Sequence, residues 1–327
     1  SQDSVATFGS ASNHPVVFNV SNGEKARIDT SGNLLIGTTT EGTGSGDNLT
    51  VAASGNMGLT LRSTSSNYCN IYFSDATSGT AEYEGYMSYN HATDSLEFAT
   101  GHTERLRINS SGQLLLGTTT PGAAQVDTFT LETSGHTGMT LFSGTSSRGT
   151  IAFGDGRSGN AQYRGVILYE HSNDSMRFAT ADTTQMNISS TGQITKPNQP
   201  SFAAYRNQDA FSLNNEVFPF NVTRHNTGSH FNTGNHRFTA PVAGRYLFTF
   251  YSILNTQINS GVYSFRVNNS TSYGYNVHFT TVNSHWDHVS TSQIFNLNAN
   301  DYVTMWSNSN INWHGNGWQI FCGELLS

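Results

Sequence analysis

Short alternations of apolar and polar residues, interrupted by Gly, Asn, Ser and Thr, run through the whole chain. Thr128-Phe129-Thr130-Leu131 and Gly149-Thr150-Ile151-Ala152-Phe153 are representative. Alternate side chains in such runs face opposite sides of a pleated strand. Windows of about eleven residues with helical spacing, free of Gly and β-branched clusters, are missing. Arg105-Leu106-Arg107-Ile108, followed by Ser110-Ser111-Gly112-Gln113 and Leu114-Leu115-Leu116-Gly117, predicts a hairpin with Gly112 at the tight position. Beyond Pro200 the alternation becomes strongly aromatic. Tyr246, Phe248 and Phe250 share one face of 245–254, and Tyr263, Phe265 and Val267 one face of 262–267. About eight strands with Asn/Gly-rich turns there predict a sandwich or jelly roll.

The pattern also repeats. Residues 24–40 return as 104–120, an offset of 80 from Glu24 to Glu104, and the register holds for the rest of the unit. Phe73 pairs with Phe153, Tyr83 with Tyr163, Tyr89 with Tyr169, Asp94 with Asp174 and Phe98 with Phe178; Phe18 occupies the same place once more. We therefore expect residues 1–23 to end a preceding unit, 24–103 and 104–183 to be complete units, and 184–200 to be a partial unit with a linker. Pro197 and Pro200 bar continuation of a sheet in that linker. Residues 201–327 are expected to form a separate domain. A unit of this size has only about fifteen sizeable apolar side chains, too few for a robust core in one chain. Three chains wrapped on a common axis would pool those side chains and close the sheet edges, so a trimeric shaft is expected. The competing monomeric solenoid is disfavoured because solenoid repeats usually run to about 20–50 residues.

Two resemblances follow from these residues. The phrase Glu104-Arg105-Leu106-Arg107-Ile108-Asn109-Ser110-Ser111-Gly112-Gln113-Leu114-Leu115-Leu116-Gly117-Thr118-Thr119-Thr120-Pro121 resembles a unit of phage tail fibre proteins. It covers 24–41, 104–121 and, weakly, 184–194. The second lies in 201–327. Phe202-Ala203-Ala204-Tyr205, Val217-Phe218-Pro219-Phe220-Asn221, Phe238-Thr239-Ala240-Pro241-Val242-Ala243-Gly244-Arg245-Tyr246-Leu247-Phe248-Thr249-Phe250 and Phe321-Cys322-Gly323-Glu324-Leu325-Leu326 resemble the globular head of the first complement component. Asn268, Leu297 and Asn300-Asp301-Tyr302-Val303 add to it. That head is one of the tumour-necrosis-factor-like jelly rolls. The resemblance implies a homotrimer that binds ligands through loops and grooves. Phe238, Pro241, Gly244, Tyr246, Phe248, Phe250 and Gly323 would be structural or trimer residues, with Pro241 and Gly244 forming a corner. Some relatives bind calcium near the axis, for which Asp287 or Asp301 would serve; no carboxylate cluster supports this.

Composition narrows the function. Charged residues are 11% of the chain, too few for a disordered polyelectrolyte, while hydrophobic residues stand at 35%. Net charge is −7, and the only lysines are Lys25 and Lys196, so nucleic acid is not an expected partner. No apolar run is long enough for a membrane helix, and no membrane insertion is expected. Cys69 and Cys322 are too few for a disulfide framework and are expected to be buried or half-buried thiols. The chain starts at Ser1 without a methionine, as expected of a processed product or an excised fragment.

Signals for chemistry are weak. A glycosidase needs two carboxylates across a cleft, and Asp209, Glu216, Asp287, Asp301 and Glu324 give no such sign. Asp94 and Asp174 recur at the repeat period, as turn residues do. No nucleophile elbow or phosphate-cradling loop is present. His285-Trp286-Asp287-His288 is a weak metal candidate through His285, Asp287 and His288, and no other cofactor is expected. Aromatic and amide residues crowd the predicted loops of the last domain, a composition suited to sugars. Trp306 and Trp318 are assigned to strands that pack the core or trimer axis. Trp286 and Trp313 are expected to face outward, with Tyr273, Tyr275, His314 and Asn316 completing a ligand-binding set.

The expected molecule is an all-β protein, a trimeric shaft of 80-residue repeats carrying a jelly-roll head. It is not an enzyme. Its expected role is a phage tail fibre or virion appendage, extracellular, with other tail proteins at the N-terminal side and a host surface glycan or protein as receptor. A tailspike-type enzyme degrading surface polysaccharide is the alternative from another class, and a bacterial surface or spore-coat protein a third.

Overall fold

A computed structural model describes residues 8–10, 12–270, 276–282 and 286–327. The fold is all-β: 47% strand against 3% helix, the latter two single turns at Gly79–Tyr83 and Gly159–Tyr163. The chain divides into two compact units, 1–139 and 140–327.

The first unit holds two sheets. Strands β1 (Val16–Val20), β2 (Gly23–Ile28), β3 (Leu34–Ile36) and β4 (Leu49–Val51) form one in that order. Strands β5 (Tyr68–Phe73), β6 (Gly85–Asn90), β7 (Ser95–Thr100), β8 (Thr103–Ile108), β9 (Leu114–Leu116) and β10 (Phe129–Leu131) form the other, with β5 and β10 as edges. Neighbours are antiparallel except the short parallel pairs β3–β4 and β9–β10. Gly37 and Gly117 permit those parallel pairs. Each has a left-handed φ, +75° and +78°, and a Cβ there would lie 2.1 Å from the carbonyl oxygen of Ala52 or Glu132.

The second unit begins with the five-stranded sheet β11 (Arg148–Phe153), β12 (Gly165–Glu170), β13 (Ser175–Thr180), β14 (Thr183–Ile188) and β15 (Ile194–Thr195). Strands β5 to β8 and β11 to β14 begin and end at the same 80-residue offset. Details follow the same spacing. The register slips after Phe18, Phe98 and Phe178, and each slip is followed by a two-residue turn with left-handed φ, at Ser21-Asn22, Gly101-His102 and Ala181-Asp182. Asp94 and Asp174 are left-handed, at φ 50° and 51°, and accept hydrogen bonds from Tyr89 and Tyr169 at 3.4 and 3.0 Å. Those two carboxylates hold turns, as their recurrence in the sequence suggests.

The rest of the second unit is a sandwich. Its strands are β16 (Ser201–Tyr205), β17 (Phe211–Leu213), β18 (Glu216–Val217), β19 (Val222–Thr227), β20 (Phe231–Asn232), β21 (Arg237–Thr239), β22 (Gly244–Ile253), β23 (Ile258–Val267), β24 (Asn276–Val282), β25 (His288–Leu297), β26 (Tyr302–Ser307), β27 (Ile311–Trp313) and β28 (Ile320–Leu325). One layer is ordered β19-β16-β28-β22-β25, the other β20-β21-β26-β23-β24 with β18 also on β26; β17 pairs with β27. Phe202, Phe218, Phe220, Phe231, Phe238, Tyr246, Phe248, Phe250, Tyr263, Phe265, Trp313 and Phe321 are buried in one continuous core. Phe238, Tyr246, Phe248 and Phe250 thus pack within a single chain. Gly323 makes room for them: a Cβ there would lie 2.6 Å from both Phe202 and Phe248. Pro241 lies in the bend before β22, closed by the Tyr246 hydroxyl donating to the Val242 carbonyl at 2.9 Å. Gly244 matters through space rather than an unusual φ, since a Cβ would lie 2.7 Å from the Ser327 carbonyl oxygen.

No helix among the described residues is long and apolar enough to cross a membrane. Cys69 and Cys322 are free, half-buried thiols. Burial pushes the Cys322 thiol upward in pKa, beyond the opposing influence of Arg224.

Candidate functional site

Three loops at one end of the sandwich bring exposed aromatic side chains together. The loop after β27 turns through Gly315, Asn316 and Gly317, the last two with left-handed φ. Backbone bonds strap it to the loop after β16: Asn316 N donates to the Gln208 carbonyl and Gly317 N to that of Arg206, both at 2.7 Å. The Asn316 amide also donates to the Asp209 carboxylate at 3.2 Å. A third loop, before β25, is held by Leu254 N donating to the Asp287 carbonyl at 2.9 Å. His314 N donates to the Ile253 carbonyl at 3.0 Å, so the end of β22 anchors two of the loops.

On this base the Trp286 indole stacks on the His314 imidazole, with ring centres 4.2 Å apart and 18° between planes. Trp318 meets Trp286 edge-on at 5.8 Å. Trp286 is 57% exposed and Trp318 48%, far more than the sealed aromatics beneath them. The result is a ridge of two exposed indoles and a half-buried imidazole, with the exposed polar residues Asn207, Gln208, Asp209 and Asn316 on the loops strapped together there. Asn207 is itself fixed by Asn221, whose amide donates to it at 2.9 Å.

Two expectations are corrected here. Trp313 does not face outward; it is fully buried against Phe218 and Phe250. Its strand is three residues long, and the alternation that buries Ile311 buries Trp313 with it. Trp318 does not lie in a strand or the core: β28 starts at Ile320, and the preceding turn leaves the indole outside. Trp306 does lie in a strand and is half-buried, with the Arg266 guanidinium 3.8 Å above its ring. Tyr273, Tyr275 and His285 lie outside the described residues.

Among the described residues no group of three or more metal-ligating side chains forms. Asp287 and His288 are exposed, and the His288 ring stacks on Tyr251 at 5.9 Å. The Asp301 carboxylate is occupied internally, accepting from the Asn268 amide and the Asn298 backbone N–H, both at 2.7 Å. Those bonds hold its pKa below the ordinary carboxylate range.

No curated protein sequence matches the chain. Solved structures similar to it include the globular domain of zebrafish complement 1qA protein, 18% identical over 39% of this chain and 98% of that one, with a TM-score of 0.32. Eiger TNF from S. frugiperda is 8% identical over 40% of this chain and 94% of that one, with a TM-score of 0.31. Murine APRIL is 8% identical over 39% and 99%, also at 0.31. A family model, the C1q domain, matches residues 201–326, the stretch that folds as the sandwich.

Proposed function

We propose that this chain is a homotrimeric adhesion fibre, most specifically a phage tail fibre or comparable virion appendage. Its C-terminal sandwich binds a glycan on the host cell surface. The observation that carries the binding reading is the ridge of Trp286, His314 and Trp318. Sugar rings present flat CH faces that lie against exposed indoles, while neighbouring amides and carboxylates orient their hydroxyls. The match of residues 201–326 to the C1q domain supports a binding module rather than a catalytic one. Trimerisation is supported by the distribution of apolar surface: of the large exposed apolar side chains among the described residues, all but Val242, Trp286, Ile294, Trp318 and Leu326 precede Pro200. Presented three times on one particle, weak single sites sum to firm attachment. The phage assignment is supported by the repeated phrase at 24–41 and 104–121.

Binding to host surface polysaccharide, with Trp286→Ala as the control, tests this reading. We expect the wild-type protein to bind, and the variant to lose at least about tenfold in affinity, one well-packed aromatic contact. Equal binding by both would remove the ridge from the site. Reducing-end release from the polysaccharide would instead favour the tailspike-type enzyme.

A further inference from the structure

Between β4 and β5 the chain runs from Ala53 to Arg62 with every residue exposed. Between β10 and β11 the stretch from Glu132 to Phe142 is exposed throughout as well. Among the described residues, neither 53–63 nor 133–143 makes a backbone–backbone hydrogen bond. Their contacts are local: the Cys69 thiol donates to the Leu61 carbonyl at 3.3 Å, and Thr133 bonds His136 and Thr137. No residue from 56 to 64 or from 136 to 144 is helical, turned or left-handed.

The composition of these stretches is that of strands. Met57, Leu59 and Leu61 alternate with Gly58 and Thr60; eighty residues later Met139 and Leu141 alternate with Gly138 and Thr140. Met57, Leu59 and Leu61 are 56%, 71% and 46% exposed, and Phe142 reaches 93%. Proteins protect an unpaired apolar strand with charge or proline. Residues 53–61 contain neither, with Arg62 the first charge at the end of that stretch, and 133–147 contain neither. Water can bond the exposed backbone groups, but the apolar side chains remain uncovered, and an extended, unpaired, apolar segment is a ready template for pairing with another strand.

Open edges of the same periodicity exist. β5 ends the six-stranded sheet and β11 the five-stranded one. Tyr68, Ile71, Tyr72 and Phe73 on β5, and Ile151 and Phe153 on β11, are exposed. The two free segments are offset by 80 residues along the chain, and so are the two free edges. A partner with both features at that spacing is another copy of this chain.

We propose that residues 57–62 and 137–142 are inter-chain strands, adding to the β5 and β11 edges of a neighbouring copy by strand addition. The proposal rests on the trimer reading above and specifies how the copies are joined. Hydrogen exchange on the full chain, run beside light scattering, tests it. We expect a mass of about three times 35.5 kDa, with amides of 57–62 and 137–142 protected as strongly as those of β6 and β7. A trimer in which these amides exchange freely overturns the inference and leaves the trimer standing. A monomeric mass overturns both. In the double variant Thr60→Pro with Thr140→Pro, which removes one donor from each segment, we expect the dissociation concentration to rise at least about tenfold. Thr60→Val with Thr140→Val keeps the donors and should leave assembly unchanged. Equal assembly of the two double variants would also overturn the inference.

Discussion

Trp286 and Trp313 stand in similar Asn-, Ser- and His-rich surroundings, yet one lies on the surface and the other in the core. Their truncation should therefore separate stability from binding. Trp313→Ala empties the junction of Phe218, Phe250 and Tyr263 and should cost about 3–5 kcal/mol in denaturant unfolding. Trp286→Ala should stay within about 1 kcal/mol of wild type in the same measurement. Tyr263 gives a pH signature of the core. Burial pushes its phenol up to about 12, and its hydroxyl donates to the Ser290 carbonyl at 3.0 Å. Because the folded pKa exceeds the unfolded one, its contribution is complete below about pH 10 and is lost as pH rises toward 12. Tyr263→Phe should flatten stability against pH across that window, as followed by circular dichroism during alkaline titration.

The repeated turns show how far a local element dictates its own shape. Ser21-Asn22, Gly101-His102 and Ala181-Asp182 close equivalent hairpins with left-handed φ at both positions. Alanine is the least suited of these, since its Cβ crowds the following carbonyl by about 1–2 kcal/mol in that region. Ala181→Gly should therefore raise stability by up to about 1 kcal/mol in urea unfolding, the gain being limited by the extra freedom of glycine in the unfolded chain. The ion pairs recur likewise. Arg27 grips Glu24 at 2.5 and 2.7 Å, and Arg107 grips Glu104 at 2.6 and 2.5 Å. The third copy replaces both partners by Thr184 and Asn187.

For the molecule as a whole, the contrast is between a sealed domain and sheets that stay open. The sandwich buries eleven aromatic side chains to 1% exposure or less, together with Leu254, Val303, Met305 and Ile311. Before Pro200 the buried apolar residues among those described are Leu35, Ala99, Leu115 and Leu168. Four such residues cannot offset the ordering of nearly two hundred, at about 1–2 kcal/mol of backbone entropy each. Association, as proposed above, would be the physical remedy, and it would give the exposed faces, the open edges and the exposed segments a common purpose. The same assembly would carry three aromatic ridges, turning a modest sugar contact into lasting adhesion.

Strand positions, hairpin turns and the 80-residue register were legible in the chain because each depends on neighbours in sequence: alternation, a left-handed turn residue, a proline that withholds a donor. The aromatic alternation of 245–254 even identified which side chains face the core. Tertiary structure alone decided the site. Trp286 comes from the loop before β25, His314 and Trp318 from the loop after β27, and their meeting depends on straps from 206–208 and from the end of β22, which no local pattern encodes. The burial of Trp313 and the exposure of Trp318 have the same origin. Polar flanks describe a residue's neighbours along the chain, whereas burial depends on which sheet closes over it. The turn Gly315-Asn316-Gly317 was the signal that Trp318 lies outside any strand, and the Ile311–Trp313 alternation the signal that Trp313 lies within the core.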